Sequence, residues 1–410
     1  MVHPVARHVA VVGGGPAGLM AAEVLATAGM AVTVFERMPS VGRKFLLAGR
    51  GGLNLTHTEP QDEFLARYGP ARSVLAPSIE GFGPDELRAW CAGLGQEPFV
   101  GSSGRVFPAA FRATPLLRAW LRRLDELGVE IQVRHTWKAW GDEPGALLFT
   151  AADGSPVTVE ADAAVLALGG ASWPRVGSDG AWVGPVTAAG IGVAPLRAAN
   201  VGFRVGWTST FRDRFAGTPI KNVRLTFAGA SVRGDAVITA TGVEGGAVYG
   251  LAAPLRDALE REAPVTLMVD LRPDLSVDDL ADRFLRRRAK ESRATLLRRA
   301  GLAPVGVGLL REVTANDLPA EPRALASLVK DMPLPLIAPQ PLERAISTAG
   351  GIQFGEFDEH FMVRRRPGTF VAGEMLDWEA PTGGYLLQAT FSTAVAAANG
   401  VLAWLAHETT

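Results

Sequence analysis

Three glycines near the N-terminus have the spacing of a diphosphate-binding turn. Gly13, Gly15 and Gly18 form a G-x-G-x-x-G frame between an apolar run and a stretch rich in Ala and Leu. In this frame the first glycine permits a tight turn, the second lets the backbone approach a pyrophosphate, and the third allows close helix–strand packing. Glu36 follows roughly 20 residues later, where an acidic side chain binds a ribose diol. The pattern predicts a dinucleotide site without choosing between NAD and FAD.

A strand, a helix and a second strand must position these residues. Residues 8–13 are a β-branched run, residues 16–28 have a helical composition, and residues 31–36 read as a second strand. Together they predict a βαβ unit. Two later apolar runs, at 161–170 and 368–376, lead into glycine as buried parallel strands do. Further predicted elements are helices at 84–94, 114–128 and 384–406 and a strand at 128–133.

Composition narrows the classes of protein. A chain of 410 residues with 48% apolar and 20% charged residues is typical of a soluble protein of two or three domains. A net charge of -1 gives no general reason to expect nucleic acid or an anionic membrane as partner. Cys91 is the single cysteine, which excludes an intrachain disulfide, a CxxC redox pair and thus the disulfide reductases.

The sequence also gives an expectation for the cellular location of the protein. Its N-terminus lacks the pattern of a signal peptide, so we expect a cytoplasmic protein. The longest apolar stretch, 386–406, is interrupted by polar residues, which favours a buried helix over a membrane span. We predict no metal site.

The middle of the chain has a different character. Short alternating runs from about 194 to 271 predict an antiparallel β module, and a basic helical stretch follows at 276–300. The predicted domains are a discontinuous nucleotide-binding domain, an inserted β domain and a helical subdomain. Their ranges are 1–193 with 350–410, 194–275 with about 333–349, and 276–332. A second dinucleotide domain is not expected, because PVGVGLL at 304–310 lacks the third glycine and the preceding strand.

Five blocks in order carry a family resemblance. They are GRKFLLAGRGGLNLTH at 42–57, GRVFP at 104–108, ALGGASWPRVGSDG at 167–180, STAGGI at 347–352 and VAGEMLDWEAPTGGYLLQATFSTAVAAANG at 371–400. Together they resemble the bacterial HI0933-type flavoproteins, also called BaiN or YhiN-like. The resemblance implies an α/β fold: a Rossmann-like FAD-binding domain of glutathione-reductase type, interrupted by an inserted β-barrel-like domain with a small helical subdomain. Some relatives reduce conjugated C=C bonds, in steroids or in a uracil of ribosomal RNA, using NAD(P)H.

The glycine frame and the resemblance together predict the FAD-binding residues. They are Gly13, Gly15, Pro16, Ala17, Gly18, Glu36, Arg37, Arg43, Lys44, Arg50, Gly51, Asn54, Val133, Ala167, Leu168, Gly169, Gly373, Glu374, Asp377, Gly383, Gly384, Tyr385 and Leu386.

The resemblance places the loop 42–57 at the flavin. Arg43 and Lys44 then neutralise the diphosphate or hold the electron-rich edge of the flavin, and Asn54 bonds its pyrimidine end. Glycines in the loop let the backbone lie against the ring, namely Gly49, Gly51 and Gly52. The alternative is a mobile surface loop with solvated cations.

The C-terminal block resembles the segment that holds the ribityl chain. Gly373 and Glu374 match the glycine–acid pair, and Asp377 assists. Gly383, Gly384 and Tyr385 open the last helix, whose N-terminal dipole then points at the flavin N1/C2=O region. Trp173, just after the 167–170 strand end, either stacks on cofactor or substrate or lies in the core.

The chain departs from the family pattern at one point. Relatives commonly read SGGGRCN where this chain reads AGRGGLN, so Gly52 and Leu53 replace an arginine and a cysteine. Arg50 either supplies the missing charge from a shifted position, or the substrate differs.

The basic run 283–299, RFLRRRAKESRATLLRR, is opposed only by Glu291. A solvated helix surface, with Leu285, Leu296 and Leu297 packing inward, is the first interpretation. An RNA-contacting face is the second.

The expected function is an FAD-dependent oxidoreductase in which NAD(P)H, a transient donor, reduces the flavin, and flavin N5 passes a hydride to an electron-poor C=C bond. Tyr385 and Lys44 are candidate proton donors, and no catalytic residue is assigned. The alternatives are a uridine reductase, or dihydrouridine synthase, acting on ribosomal RNA, a flavin oxidase, and a non-catalytic flavin-binding regulatory protein. The substrate is expected to be a small molecule unless the basic stretch binds RNA.

Overall fold

A computed structural model describes residues 7–286 and 291–407. Its α-helices are α1 (Pro16–Thr27), α2 (Arg43–Ala48), α3 (Gln61–Ala66), α4 (Arg72–Gly81), α5 (Pro84–Gly93), α6 (Ala113–Glu126), α7 (Val183–Ala188), α8 (Ser209–Phe215), α9 (Gly246–Tyr249), α10 (Ala252–Arg261), α11 (Val277–Leu285), α12 (Arg293–Arg299), α13 (Pro304–Val313), α14 (Pro322–Lys330) and α15 (Tyr385–His407). Its strands are β1 (His8–Val12), β2 (Ala31–Glu36), β3 (Thr56–His57), β4 (Pro98–Val100), β5 (Arg105–Pro108), β6 (Glu130–Val133), β7 (Thr136–Trp140), β8 (Ala146–Thr150), β9 (Pro156–Glu160), β10 (Ala163–Leu166), β11 (Val193–Ala199), β12 (Phe203–Arg204), β13 (Pro219–Phe227), β14 (Ala230–Thr239), β15 (Gly242–Glu244), β16 (Val265–Asp270), β17 (Met332–Leu336), β18 (Ala338–Pro339), β19 (Ser347–Ile352) and β20 (Thr369–Val371).

A parallel sheet carries the first structural unit. Its strand order is β20-β10-β1-β2-β6, and each neighbouring pair is parallel. The central strands β1 and β10 are buried almost throughout, which explains their continuous apolar sequence. The sheet and its crossover helix confirm the predicted Rossmann-like α/β fold. All carboxyl ends of these strands lie at one edge, where such sheets bind ligands.

Helix α15 lies in the core of this unit, packed against α1 and α4. Within the described part of the chain it is the one helix long and apolar enough to span a membrane by length and composition. Two of its polar residues, Gln388 and Ser392, are buried: Gln388 Nε2 and Ser392 Oγ both donate to the carbonyl of Phe82, at 2.8 and 2.6 Å. Packing within the protein therefore explains the apolar composition of α15.

The chain divides into two compact units. The first comprises residues up to Arg197 and from Ser347 onwards, and the second is Ala198–Ile346. Inside the second unit the main-chain N–H of Ile346 donates to the carbonyl of Asn200 at 3.2 Å, so its two ends are adjacent. The unit is thus a single insertion into the nucleotide-binding domain.

The second unit is built on a seven-stranded sheet with the order β17-β16-β13-β14-β15-β12-β18. Its pairs are antiparallel, as the alternating runs predicted. Helices α8 and α10 interrupt the region that the sequence predicted as strands alone. They form because their apolar residues, such as Phe211 and Leu255, pack into the core that the sheet shares with α11–α14.

Candidate flavin site

The turn between β1 and α1 requires glycine at two positions. Gly13 has φ +113°, and a Cβ there would lie 2.3 Å from the carbonyl oxygen of Ala167. A Cβ at Gly18 would lie 1.9 Å from the carbonyl oxygen of Gly13. A Cβ at Gly15 would meet no described atom within 4 Å, so open space lies before the first turn of α1, which begins at Pro16. Open space at a helix N-terminus suits a diphosphate.

Glu36 ends β2 beside this turn. Its two carboxylate oxygens accept hydrogen bonds from the main-chain N–H of Gly14 at 2.9 Å and of Met38 at 2.7 Å. Burial raises the pKa of Glu36, while these two N–H groups lower it. Each carboxylate oxygen has capacity for a further hydrogen bond, which suits a ribose diol. Val133 of β6 is the register partner of Glu36, so it lies at the same sheet edge.

Segment 174–179 contacts Arg37, the residue that follows β2. Arg37 forms an ion pair with Asp179 at 2.6 Å, so its charge is partnered within the protein. The Arg37 Nε atom is buried without a partner among the described residues, and so is Ser178 Oγ. Ser178 was not predicted; its hydroxyl lies near Gly169, just after the end of β10.

Helix α2 begins against the diphosphate turn. The main-chain N–H of Gly42 donates to the carbonyl of Gly14 at 2.8 Å. Arg43 follows, with Nη1 at 3.3 Å from Ser40 Oγ and a buried Nε for which the described chain provides no acceptor. Arg43 is therefore placed near the turn, as expected of a diphosphate ligand.

Lys44 and Glu374 form an ion pair. Lys44 Nζ lies 2.7 Å from Glu374 Oε2 and 2.7 Å from Ser172 Oγ. Glu374 also accepts hydrogen bonds from the main-chain N–H groups of Gly170 and Thr348, at 3.2 and 2.9 Å. Lys44 and Glu374 were each expected to contact the cofactor. In the structure they bond each other and connect four chain segments, at residues 44, 170–172, 348 and 374.

The C-terminal block lies at the start of α1. A Cβ at Gly373, which has φ +77°, would lie 2.8 Å from the Cβ of Ala17. The main-chain N–H of Leu168 contacts Met375 Sδ at 3.0 Å, which joins the end of β10 to the same block. Asp377 lies further along, and burial raises the pKa of its carboxyl. The structure brings these predicted segments together at the carboxyl edge of the sheet, where Ala167 and Gly169 also lie.

The start of α15 lies on β3. Gly383 and Gly384 have φ of +138° and +103°, and a Cβ at Gly384 would lie 2.5 Å from the backbone of Thr56. Thr56 is fully buried, and its Oγ1 has no partner in the part of the chain that the structure describes. The buried Asn54 Oδ1 likewise has no hydrogen-bond partner among the described residues. Unpaired buried polar atoms are rare and call for a partner such as a ligand.

These unpaired atoms test whether the residues present fit FAD. Asn54 and Thr56 offer polar groups beside the glycines that lead into α15, as the polar edge of a flavin ring requires. At the opposite end of the site, Gly15 leaves space for a diphosphate and Glu36 keeps acceptor capacity. The site therefore fits FAD. Thr56 was missed by sequence reasoning, and no spacing in the sequence pointed to it.

Tyr385 is held in a buried cluster. Its ring stacks on His57 at a centroid distance of 5.7 Å, and the guanidinium of Arg67 lies 5.7 Å above it. Arg67 donates two hydrogen bonds to Glu59, at 3.1 and 2.7 Å. Burial, and then Glu59, raises the pKa of Tyr385. The ring of Tyr385 is packed in this cluster, and Leu386 beside it packs partly into the same core.

A family comparison matches this geometry. The model of the HI0933-like protein Rossmann domain matches residues 7–400. The chain belongs to the HI0933-like family. Family and fold together identify a flavoprotein of the oxidoreductase class with FAD as its cofactor.

Named relatives differ in what they act on. The chain is 24% identical to the ribosomal RNA dihydrouridine synthase of Haemophilus influenzae over 405 residues, which covers 95% of this chain and 96% of that protein. Among solved structures it resembles a 3-ketosteroid-Δ4-(5α)-dehydrogenase of Rhodococcus jostii at 18% identity and TM-score 0.52, covering 98% of each chain. It also resembles a 3-ketosteroid Δ1-dehydrogenase of Sterolibacterium denitrificans at 14% identity and TM-score 0.53, covering 96% and 99% of the chains. At these identities the structural likeness shows the fold alone.

The resemblance predicts an arginine and a cysteine where this chain has Gly52 and Leu53. Gly52 has φ +114°, and a Cβ there would lie 2.4 Å from the ring of Phe111. Leu53 is buried in the core. A side chain at position 52 would therefore have strained backbone angles and would require the Phe111 ring to move. The Arg50 side chain lies outside the described residues, and Gly51 next to it faces open space.

Two other predicted residues have clear environments. Trp173 is 38% exposed, so the interpretation of it as a core residue is wrong. Cys91 is buried and contacts the carbonyl of Gln96 through Sγ at 2.9 Å. Burial raises the pKa of Cys91 to about 12, so its thiol is unreactive at neutral pH.

The basic run 283–299 is not one helix in the described residues. Helix α11 ends at Leu285 and α12 begins at Arg293, and residues 287–290 lie outside the described chain. Leu296 and Leu297 are buried, but Leu285 is 68% exposed, so its predicted inward packing is wrong. Arg299 pairs with Glu291 at 3.1 Å.

Proposed function

We propose that the protein is an NAD(P)H-driven reductase that transfers a hydride to an electron-poor C=C bond of a small molecule. One observation supports this most. The three segments that the family resemblance assigns to FAD, namely the turn after β1, the loop 42–57 and the start of α15, lie together in one unit beside unpaired buried polar atoms.

The protein's part is to bind and orient the cofactor. FAD, when bound, supplies the hydride chemistry. The gap at Gly15 and the N-terminus of α1 hold a diphosphate, and Arg43 adds positive charge there. Glu36 accepts hydrogen bonds from the ribose diol.

The protein also tunes charge at the polar edge of the ring. The N-terminus of the 23-residue helix α15 places a partial positive charge at this edge. Asn54 and Thr56 supply hydrogen-bonding groups that the protein leaves unpaired. Together they stabilise negative charge that develops there on reduction, which favours hydride acceptance from NAD(P)H.

The Lys44–Glu374 pair positions the loop. Because it ties α2 to the C-terminal block and to residues 170 and 348, it holds the loop against the site. Lys44 Nζ is bonded to Glu374 and Ser172, and Tyr385 packs against His57 and Arg67, so no residue is assigned as the proton donor.

A second candidate function is reduction of a uridine in ribosomal RNA. The support is the near full-length similarity to the Haemophilus influenzae enzyme and the basic run 283–299. The low identity of 24% leaves the small-molecule reductase as the first proposal.

Anaerobic mixing with NADH or NADPH tests the proposal. The FAD-loaded protein should lose its flavin absorption on mixing and regain it when a cyclic enone such as 2-cyclohexen-1-one is added. Recovery with ribosomal RNA lacking dihydrouridine, and not with enones, would support the uridine reductase instead. Failure of both nicotinamides to bleach the flavin would favour a non-catalytic flavoprotein, and hydrogen peroxide as the main product in air would favour an oxidase.

A further inference from the structure

Three phenyl rings form an exposed stack beside the flavin loop. Phe107 and Phe111 have ring centroids 4.7 Å apart and an interplanar angle of 24°, and Phe99 lies 5.8 and 6.0 Å from them at 31° and 23°. Phe99 and Phe111 are each 42% exposed, and the neighbouring Val100 is 46% exposed. We name Phe99, Phe107 and Phe111 the phenyl platform. Exposed apolar clusters of this kind mark binding surfaces.

Paired β-strands hold two of the three rings of the platform. Phe99 and Phe107 are direct cross-strand partners on β4 and β5. The same three-stranded sheet includes β3, which carries Thr56 of the candidate flavin site. The rings are therefore held by paired strands, and their near-parallel orientation is built into the fold.

Phe111 connects the platform to the flavin loop. Its carbonyl accepts a hydrogen bond from the main-chain N–H of Leu53 at 3.2 Å, and its ring occupies the place that a Cβ at Gly52 would need. The absence of a side chain at Gly52 thus leaves room for the ring of Phe111 beside the loop.

The backbone of Phe111 is strained. Its φ of +59° lies in the left-handed region, which is unfavourable for a residue with a bulky side chain. Strain of this kind persists where the surrounding structure imposes it and is concentrated at ligand sites. Here the residue in the left-handed region is Phe111, whose partly exposed ring lies beside the flavin loop.

We propose that the phenyl platform binds the flat, largely apolar ring system of the substrate and is the specificity element of this protein. The proposal rests on the proposed function, because the reducible bond must lie at the flavin. Flat rings suit a stack of near-parallel phenyls, since aromatic faces pair best in offset stacks. The platform's side chains offer no hydrogen-bonding group, so the contact that they supply is apolar contact with the face of a ring.

Equilibrium dialysis of the full-length, FAD-loaded, oxidised protein tests this without turnover. The probes are 2-naphthol, which is flat, and decahydro-2-naphthol, which has the same carbon skeleton but is puckered. The wild type should bind 2-naphthol more tightly than the puckered probe. Phe99→Ala and Phe111→Ala should each weaken 2-naphthol binding about three- to tenfold. Val74→Ala, an exposed apolar control on α4, should leave binding unchanged.

The outcomes separate this proposal from the proposed function. FAD content, thermal unfolding and flavin reduction by NADPH are measured on the same samples, and Phe99→Ala provides a second test should Phe111→Ala fail to fold. If wild type and the folded phenylalanine variants bind 2-naphthol with equal affinity, the proposal that the platform binds the substrate ring is overturned, even when NADPH reduces the flavin normally. Phenylalanine-dependent binding of a ten-residue oligouridine without binding of 2-naphthol overturns it in favour of RNA. Loss of a concentration-dependent oligomer in the variants overturns it in favour of self-association. Failure of both NADH and NADPH to reduce the wild-type flavin counts against the proposed function alone.

Discussion

At the residue scale, spacing predicted the glycines and the acid but not the partners of the polar groups. Gly13, Gly18 and Glu36 were predictable because a tight turn and a strand end constrain residue type over short distances. The Lys44–Glu374 pair joins positions 330 apart in the chain, and the pattern of either segment alone contains no information on that contact. Thr56 was missed because an unpaired hydroxyl is visible only once its surroundings are known.

Gly15→Ala separates cofactor binding from folding. The residue has ordinary extended backbone angles, φ -86° and ψ -178°, and its added Cβ would meet no described atom within 4 Å. We therefore expect unchanged stability of the FAD-free protein but a fall in FAD affinity of at least about tenfold, because the methyl group occupies the space proposed for the diphosphate. Isothermal titration with FAD and thermal unfolding measure the two effects. Gly184→Ala on α7, also without a contact, is the control and should leave FAD affinity unchanged.

Thr56→Val tests the unpaired hydroxyl. Removing a buried group without a partner should leave the FAD-free protein equally stable or slightly more stable, while FAD binding weakens by about 1 kcal/mol. Thr393→Val is the matched control, because the Thr393 hydroxyl donates to Ala389 and accepts from the main-chain N–H of Gly373. It should lower the free energy of unfolding by about 1–3 kcal/mol. A similar loss of stability in Thr56→Val would show that this hydroxyl serves the fold instead.

At the element scale, the sequence predicted the central elements and missed those defined by their neighbours. Strand β2 and helix α1 were predictable because β2 is a short apolar run rich in β-branched residues and α1 is a longer run rich in Ala and Leu. Strands β7–β9 were not predicted, and helices α8 and α10 were read as part of a β module. Short segments take helical or extended form according to the surface they pack on, which propensity alone does not encode.

The start of α15 should respond to acid through Glu59. Burial would raise the pKa of Glu59, but hydrogen bonds from Arg67 and Tyr385 hold it below the ordinary value of 4.5. The folded pKa lies below the unfolded one, so the carboxylate stabilises the fold fully above about pH 4.5 and this contribution is lost as pH falls through the folded pKa.

Glu59→Gln should therefore lower the free energy of unfolding at pH 7 by about 1–3 kcal/mol and flatten its decline below pH 4.5. Urea unfolding at several pH values measures both effects. Asp62→Asn removes an exposed ion pair with Arg72 and should cost less than about 1 kcal/mol. An acid decline as steep in Glu59→Gln as in wild type would contradict this role.

At the scale of the whole molecule, short runs of alternating apolar and polar residues between 194 and 271 predicted an inserted module. The structure divides into its two units at Arg197/Ala198 and at Ile346/Ser347. The helices of this module share one core with its sheet. Composition cannot reveal a shared core, because it records which residues are apolar and not which surfaces they bury together.

The second unit should fold alone. Its ends are adjacent and it has its own hydrophobic core, so residues 198–346 expressed separately should unfold cooperatively in urea and bind no FAD. A segment without a cooperative transition would show that the first unit is needed to complete its core.

The absorption spectrum of the purified full-length chain tests the central claim most directly. The account predicts a yellow protein with one FAD per chain released on heating, and a Gly15→Ala variant that folds but remains nearly colourless. A colourless wild type that refuses added FAD while binding NAD would contradict it.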